Sequence, residues 1–301
     1  MNAARDGLVL LNKPAEITSF QALKPVKQRL QSGKVGHTGT LDRFAEGLLV
    51  AAVGFCSRFA PHITALPKEY YAELQLGTET ATLDPEGEVT ATGPIPSREV
   101  VLQAAERFRG KIMQTPPAYS AVKVRGKRAA DHTRAGELPE LRARPVTIYE
   151  LELLDYTTQT GVLALRMLCS KGTYVRALAR DLAAVAGSCA HVTKLRRDRI
   201  GPFTLGAAVE PAAFELHRDL LPPEQFLPLL EGVGQLSVSP PIGDRIRHGT
   251  PLGQDFFSEL RERVQSDGLY AVFSADDRQF IALIERAQGR WRYQFVRAEG
   301  R

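Results

Sequence analysis

Lys34-Val35-Gly36-His37-Thr38-Gly39-Thr40-Leu41-Asp42 leads, four residues later, into the apolar run Gly47-Leu48-Leu49-Val50-Ala51-Ala52-Val53. Glycine accepts positive φ and lets the backbone approach a ligand closely, so this is a loop built for tight geometry. His37 and the hydroxyls of Thr38 and Thr40 stand within five residues of Asp42. A carboxylate displayed at the end of a buried strand reads as a reactive group more readily than one on a solvated helix. The same spacing suits a tight turn in which Asp42 caps local amides. On its own the loop leaves both open.

Outward from the loop, the chain has 301 residues, 44% hydrophobic and 24% charged, which suits a soluble globular protein of two domains. Its net charge of +5 is unevenly spread. Residues 1–209 carry 28 Lys and Arg against 20 Asp and Glu, while residues 210–301 carry 11 against 14. A basic body with a mildly acidic tail points to a polyanionic partner for the body. Cys56, Cys169 and Cys189 have no short paired spacing, which fits reduced thiols in the cytoplasm rather than a disulfide framework. The six histidines are scattered and show no zinc spacing. The N-terminus reaches Lys13-Pro14 too soon for a signal peptide, and Leu48–Val53 is too short to span a bilayer.

Short β-type runs alternate irregularly with a few helices. Leu8–Leu11 reads as a strand, followed by a helix from Thr18 or Ser19 to Leu30 in which Pro25 is a conflict. Tyr70–Leu76 and Glu88–Thr92 read as strands flanking the turn Asp84-Pro85-Glu86-Gly87, and Ser97 caps a helix through Phe108. Val146–Leu154 and Val162–Leu168 form an alternating pair, and Tyr174–Ala186 is the clearest helix. The pattern is α+β with many antiparallel pairings, not a βαβ repeat. Beyond Pro222-Pro223 and Pro240-Pro241, the runs Leu269–Phe273, Phe280–Ile284 and Trp291–Val296 suggest a β-meander and a small all-β domain over 232–301.

Arg176 stands in the first turn of the Tyr174–Ala186 helix, where bare N–H groups favour anions, so it calls for a specific partner. A buried carboxylate or a phosphate would serve, and Asp42 is the attractive candidate. Tyr70 opens its strand after Lys68-Glu69 and is either core packing or a platform for a base, a stack worth roughly 1–3 kcal/mol. Residues 123–144 hold seven Lys and Arg against three acids, and Lys194, Arg196, Arg197 and Arg199 cluster around Asp198. Such runs are often solvated faces. Beside glycines and an extruded acid they suit contacts to an RNA backbone.

Several separated motifs now converge. They are Leu11-Asn12-Lys13-Pro14 with Thr18-Ser19, Gly36–Asp42 with Gly47-Leu48-Leu49, and Lys68-Glu69-Tyr70 with Leu76-Gly77 and Asp84. Pro116–Lys123, Lys171–Arg176, and Leu195-Arg196-Arg197 with Gly201-Pro202-Phe203 complete the set. Over nearly all of residues 7–206 the chain resembles the TruB-type tRNA pseudouridine synthases. The resemblance implies a mixed, largely antiparallel sheet with flanking helices over 1–231, with a basic RNA-contacting insertion near 123–144 and a PUA-like RNA-binding domain over 232–301. It implies isomerisation of uridine 55 in the T loop of tRNA by a monomeric cytoplasmic enzyme that uses no cofactor and no metal and binds no membrane. Asp42 aligns with the catalytic aspartate, Arg176 with its salt-bridge partner, and Tyr70 with the tyrosine stacked on the target base. His37 matches a histidine that helps hold the flipped nucleotide, Tyr174 and Leu195 match pocket-lining positions, and Lys13 is expected beside the substrate.

The chain departs from the family pattern at several positions. Arg43 follows the acid where proline is usual, Glu46 interrupts an Ala-Thr-Gly, Glu16 stands where glycine is common, and Ala130–Arg134 replaces a more apolar stretch. Arg43 is expected either to pair with Glu46 or to face Asp42. A noncatalytic RNA-binding or tRNA-folding protein is the alternative, which the joint presence of Asp42, Tyr70 and Arg176 opposes. A glycosidase needs a second flanking carboxylate, and a phosphate cradle needs the Walker lysine spacing that Gly-His-Thr-Gly-Thr lacks.

Overall fold

Strict alternation sets the centre of the fold: Lys68–Leu76 buries every second residue, from Lys68 and Tyr70 through Ala72, Leu74 and Leu76. Period two puts those side chains on one face of a pleated strand. In the structure, a computed structural model that describes residues 6–31, 34–137, 139–252, 264 and 266–297, this strand lies inside a ten-stranded sheet. The outermost residues of both expected domains, 1–5 and 298–301, lie outside the described residues. In spatial order the sheet runs Leu220–Leu221, Gly7–Lys13, Glu46–Val53, Ala190–Ile200, Lys68–Leu76, Val162–Cys169, Arg144–Thr157 and Gly110–Gln114. Val35–His37 adds to Glu46–Val53, and Phe203–Thr204 to Ala190–Ile200.

Pairing within this sheet is antiparallel except at one join. There Ala190–Ile200 meets Glu46–Val53 in parallel, through Arg196 opposite Glu46 and Arg197 opposite Gly47 alone. Gly47 has φ of 103°, and a Cβ there would lie 2.5 Å from the Arg197 carbonyl oxygen, so only glycine fits the join.

The helix Val175–Val185 buries Val175, Leu178, Ala179, Leu182 and Ala183, an i, i+3, i+4, i+7, i+8 stripe that packs on the sheet. Thr18 and Gln21 form a capping box, but the helix that begins at Ser19 ends at Ala22, and a second spans Lys24–Leu30. Pro25 explains the break, since proline lacks an N–H and is tolerated only in a first turn. The Ser97-capped helix closes at Glu106, short of Phe108. Val89–Thr92 pairs with Thr78–Thr80 in a separate ribbon rather than with Tyr70–Leu76.

Gly268–Ser274, Phe280–Ala287 and Arg290–Val296 form the expected meander, and Val233–Val238 adds a parallel strand that its sequence did not announce. Phe55, Phe59, Phe226, Phe280 and Phe295 interlock where this small sheet meets the main one. Phe55 stacks on Phe280 at 5.9 Å, and Phe59 meets Phe295 edge-on at 4.8 Å. Among the described residues no helix is long and apolar enough to cross a membrane.

Candidate active site

Three anchors hold the loop that ends in Asp42. The Ser19 hydroxyl, presented by the capped helix start, accepts from Leu41 N at 2.9 Å and donates to Leu41 O at 3.0 Å. Thr38 N donates to Val50 O at 2.9 Å. From the far side of the parallel join, the Arg197 guanidinium donates to Leu48 O at 2.8 Å and more loosely to Gly39 O and Thr40 O at 3.3 and 3.4 Å. With its backbone so fixed, Asp42 turns a side chain about a third exposed, at 35%, toward a cleft of about 450 Å³.

Arg176 meets it there. Its Nε donates to Asp42 Oδ2 at 2.9 Å, and its NH1 lies 3.2 Å from Asp84 Oδ2. NH1 also donates to Thr82 O at 2.7 Å and NH2 to Tyr119 O at 3.0 Å, so a guanidinium only 4% exposed is fully engaged. Two carboxylates resolve the apparent conflict of a cation in a first helical turn. Gln114 satisfies that helix start: its Oε1 accepts from Tyr174 N at 2.8 Å and its Nε2 donates to Tyr174 O at 3.2 Å.

Tyr70 forms the cleft floor and is buried, with burial raising its phenol pKa and the adjacent Arg197 guanidinium pulling the other way. Tyr174 and Leu195 line the same cleft, and burial raises the Tyr174 pKa too. His37 is absent from the cleft wall. It lies on Val35–His37 with Nδ1 buried and unpartnered, and burial together with Arg197 lowers its pKa, favouring the neutral ring. Lys13, expected beside the substrate, is instead fully buried behind the loop, donating to the carbonyls of Pro14, Ile17 and Arg43 at 2.9, 2.8 and 3.2 Å. Burial pulls its ammonium down to about 8, with Asp42 opposing.

Some members of the site escaped the sequence. Asp84 read as a turn residue and as a motif position with no role assigned; its Oδ1 does accept from Glu86 N at 3.0 Å, but its other oxygen serves Arg176. Arg197 read as part of an exposed basic cluster and is 2% exposed. Its signal was present: it stands two residues from Leu195, on the buried face of the strand. Arg43 pairs with neither Glu46 nor Asp42. It donates to Glu16 O at 3.1 Å and lies 3.9 and 3.8 Å from the carboxylates of Glu16 and Glu86. Glu16 has φ of 66°, the conformation that explains glycine at this position, so two of the departures contact each other.

The basic insertion forms a small hairpin, Lys123–Val124 with Lys127–Arg128, and the helix Ala129–Arg134. Arg128 and Arg134 reach the cleft wall, and Ala130 N donates to Ser120 O at 3.1 Å. His132, among the departures, ties the insertion to itself through Val124 O at 3.0 Å and the Glu137 carboxylate.

The sequence model of the TruB family pseudouridylate synthase N-terminal domain matches residues 27–175. A tRNA pseudouridine synthase B from Aromatoleum aromaticum is 44% identical over 232 residues, covering 77% of this chain and 73% of its own length. The chain belongs to this family. A second TruB relative, the tRNA pseudouridine synthase B of Treponema denticola, is 43% identical over 234 residues. That match covers 72% of this chain and 65% of the relative, so the chain spans just under two thirds of that protein's length. Among solved structures, a Cbf5-Nop10-Gar1 complex contains a chain of TM-score 0.67 at 23% identity, covering 98% of this chain and 84% of that one. At that identity the likeness speaks for the fold: a pseudouridine synthase sheet with a separate C-terminal β-sheet.

Proposed function

We propose that this chain isomerises uridine to pseudouridine in tRNA, at position 55 of the T loop, as a monomer in the cytoplasm. The observation that carries the proposal is Asp42, held through Arg176 and Asp84 at the rim of a cleft floored by Tyr70. A base in a folded T loop must leave its stack before the glycosidic bond is reachable, at a cost of a few kcal/mol. Stacking on Tyr70, with Tyr174 and Leu195 closing the pocket, offsets that cost. Arg176 aims Asp42, and two carboxylates on one guanidinium leave Asp42 the accessible member, since the Asp84 side chain is 6% exposed. The Asp42 carboxylate then attacks as nucleophile or supports cation character in the sugar while the N1–C1′ bond breaks, and the base turns and rejoins through C5. Lys13 acts from behind, fixing the carbonyls of Pro14, Ile17 and Arg43 around the acid. Residues 1–231 form the catalytic unit, with the 123–144 insertion on the RNA backbone, and residues 232–301 a PUA-like RNA-binding unit.

The test is release of tritium from T-arm RNA labelled at C5 of uridine. Release by the wild type and none by Asp42→Asn is the expected result. Tight binding without release by either protein would replace the enzyme with an RNA-binding or tRNA-folding protein.

A further inference from the structure

Of two further cations at the cleft, Lys68 has had no part so far and Arg197 has served only to anchor the Asp42 loop. Lys68 and Arg197 both line the cleft, at 8% and 2% exposure. The sheet brings them together: Arg197 pairs opposite Tyr70, and Lys68 stands two residues before Tyr70 on the same buried face. Lys68 Nζ donates to the carbonyls of Thr64 and Leu66, the second at 2.6 Å, and Arg197 donates to the carbonyls of Gly39, Thr40 and Leu48. Asp42 and Asp84 are both committed to Arg176, and among the described residues no carboxylate comes within ion-pair distance of Lys68 or Arg197.

Two cations buried side by side without a counter-charge are a costly arrangement that apolar residues of similar size would avoid. Burial and the neighbouring Arg197 charge pull the Lys68 ammonium down to about 8, the behaviour of a site that lacks an anion. Heterolysis of N1–C1′ supplies one. The bonding pair stays on N1, and the departing uracil carries its negative charge over N1, O2 and O4.

We infer that Lys68 and Arg197 are catalytic groups that hold the uracil anion against Tyr70 while the glycosidic bond is open. The inference rests on the pseudouridine synthase reading. The electron balance is closed: C1′ either bonds to Asp42, whose carboxylate leaves again as C5 attacks, or passes through a cation-like sugar; the C5–C1′ bond forms, C5 loses its proton and N1 gains one. Nothing is oxidised or reduced. Fixed donors aimed at charge that develops only in the transition state are worth about 10²–10³ in rate each. Arg176 cannot take this part, because its charge is already matched by two carboxylates.

Leaving-group chemistry tests this. Single-turnover conversion, with enzyme in excess, is measured on T-arm RNA carrying uridine or 5-fluorouridine at the target, following loss of the starting nucleoside. Fluorine stabilises the uracil anion without help from the protein. Lys68→Met and Arg197→Met are expected to slow the uridine substrate about 100-fold. The fluorinated substrate should slow by only about 10-fold, RNA affinity should stay within about 3-fold, and Lys68→Arg should recover most of the rate. Equal slowing of both substrates would reduce the two residues to a structural role, and a loss of RNA affinity in place of rate would assign them to phosphate binding. Either result overturns the inference. Thermal melts accompany each variant. If Arg197→Met does not fold, Arg197→Lys and Lys68→Met carry the comparison. Failure of the wild type on both substrates would sink the parent reading instead.

Discussion

The main sheet buries charge at one place and aromatic rings at another. Around the cleft it encloses Lys13, Lys68, Asp84, Arg176 and Arg197, all under 9% exposed. Where the small C-terminal sheet docks, it encloses Phe55, Phe59, Phe226, Phe280 and Phe295 in stacked, tilted and edge-on contacts of 4.8–6.4 Å. Rings lose water at a gain and need only fit. Charges lose water at a cost, and each must find donors, acceptors or a counter-charge. The aromatic junction therefore supplies stability, and the charged one uses it to hold groups in states that water would not leave unmatched.

The sharpest way to separate the two is Asp42→Asn. Single-turnover isomerisation should fall by more than about 10⁴-fold, as for other essential catalytic groups. The melting temperature should hardly move, because the side chain is partly exposed and Arg176 keeps Asp84. Phe59→Ala should do the reverse. It leaves a cavity at the centre of the ring cluster and should cost about 3–5 kcal/mol in denaturant unfolding, with activity per folded molecule retained. Severe loss of rate in the folded fraction would mean that the two regions are coupled.

A smaller effect comes from pH. Lys68, faced by Arg197, Cys169 and Lys171, titrates near 8 in the folded protein against 10.5 unfolded, and Lys13 is depressed to about the same value. As pH rises through 8 the folded state gives up these protons first, so stability should increase between pH 8 and 9. Above 9 the gain is opposed, because Cys56 and Cys169 are held protonated by burial while unfolded thiols ionise. Activity runs the other way: the single-turnover rate should drop by up to about tenfold per pH unit as Lys68 loses its charge, and Lys68→Met should flatten that limb. Least of all, Glu16→Gly should change stability by under about 1 kcal/mol. Relief of a positive φ offsets the loss of an exposed ion pair of 3.9 Å, and a loss above about 2 kcal/mol would show that the Glu16–Arg43 contact supports the loop.

Much of this was readable in the sequence, and the failures share a cause. Alternation in Lys68–Leu76 and the 3.6-residue stripe of Val175–Val185 are local patterns, so these elements read correctly. Arg176 announced a partner because its place in a first turn is itself a local conflict. Asp84 announced its turn and a place in a motif but no role, since nothing in Asp-Pro-Glu-Gly says which distant cation its second oxygen meets. Arg197 sits in a run of cations whose average looks solvated, and two bulges in its strand blur the alternation that assigns it inward. The parallel strand Val233–Val238 is specified by its neighbour Gly268–Ser274, thirty residues on, rather than by its own residues.

The two-residue parallel join gives the protein a seam. On one side lie Gly7–Lys13, Glu46–Val53 and the Asp42 loop, and on the other Lys68–Leu76, Ala190–Ile200 and the helix that carries Arg176. Few main-chain bonds cross it, so the crossing is made largely by side chains: the Arg176–Asp42 bridge, and the Arg197 guanidinium on the carbonyls of Gly39, Thr40 and Leu48. The machinery is thus split between two halves of a folding chain and comes into being only when they dock. Until the two sides meet, the aspartate lacks its arginine and the pocket lacks its acid, so the site is a property of the docked seam and of neither side alone.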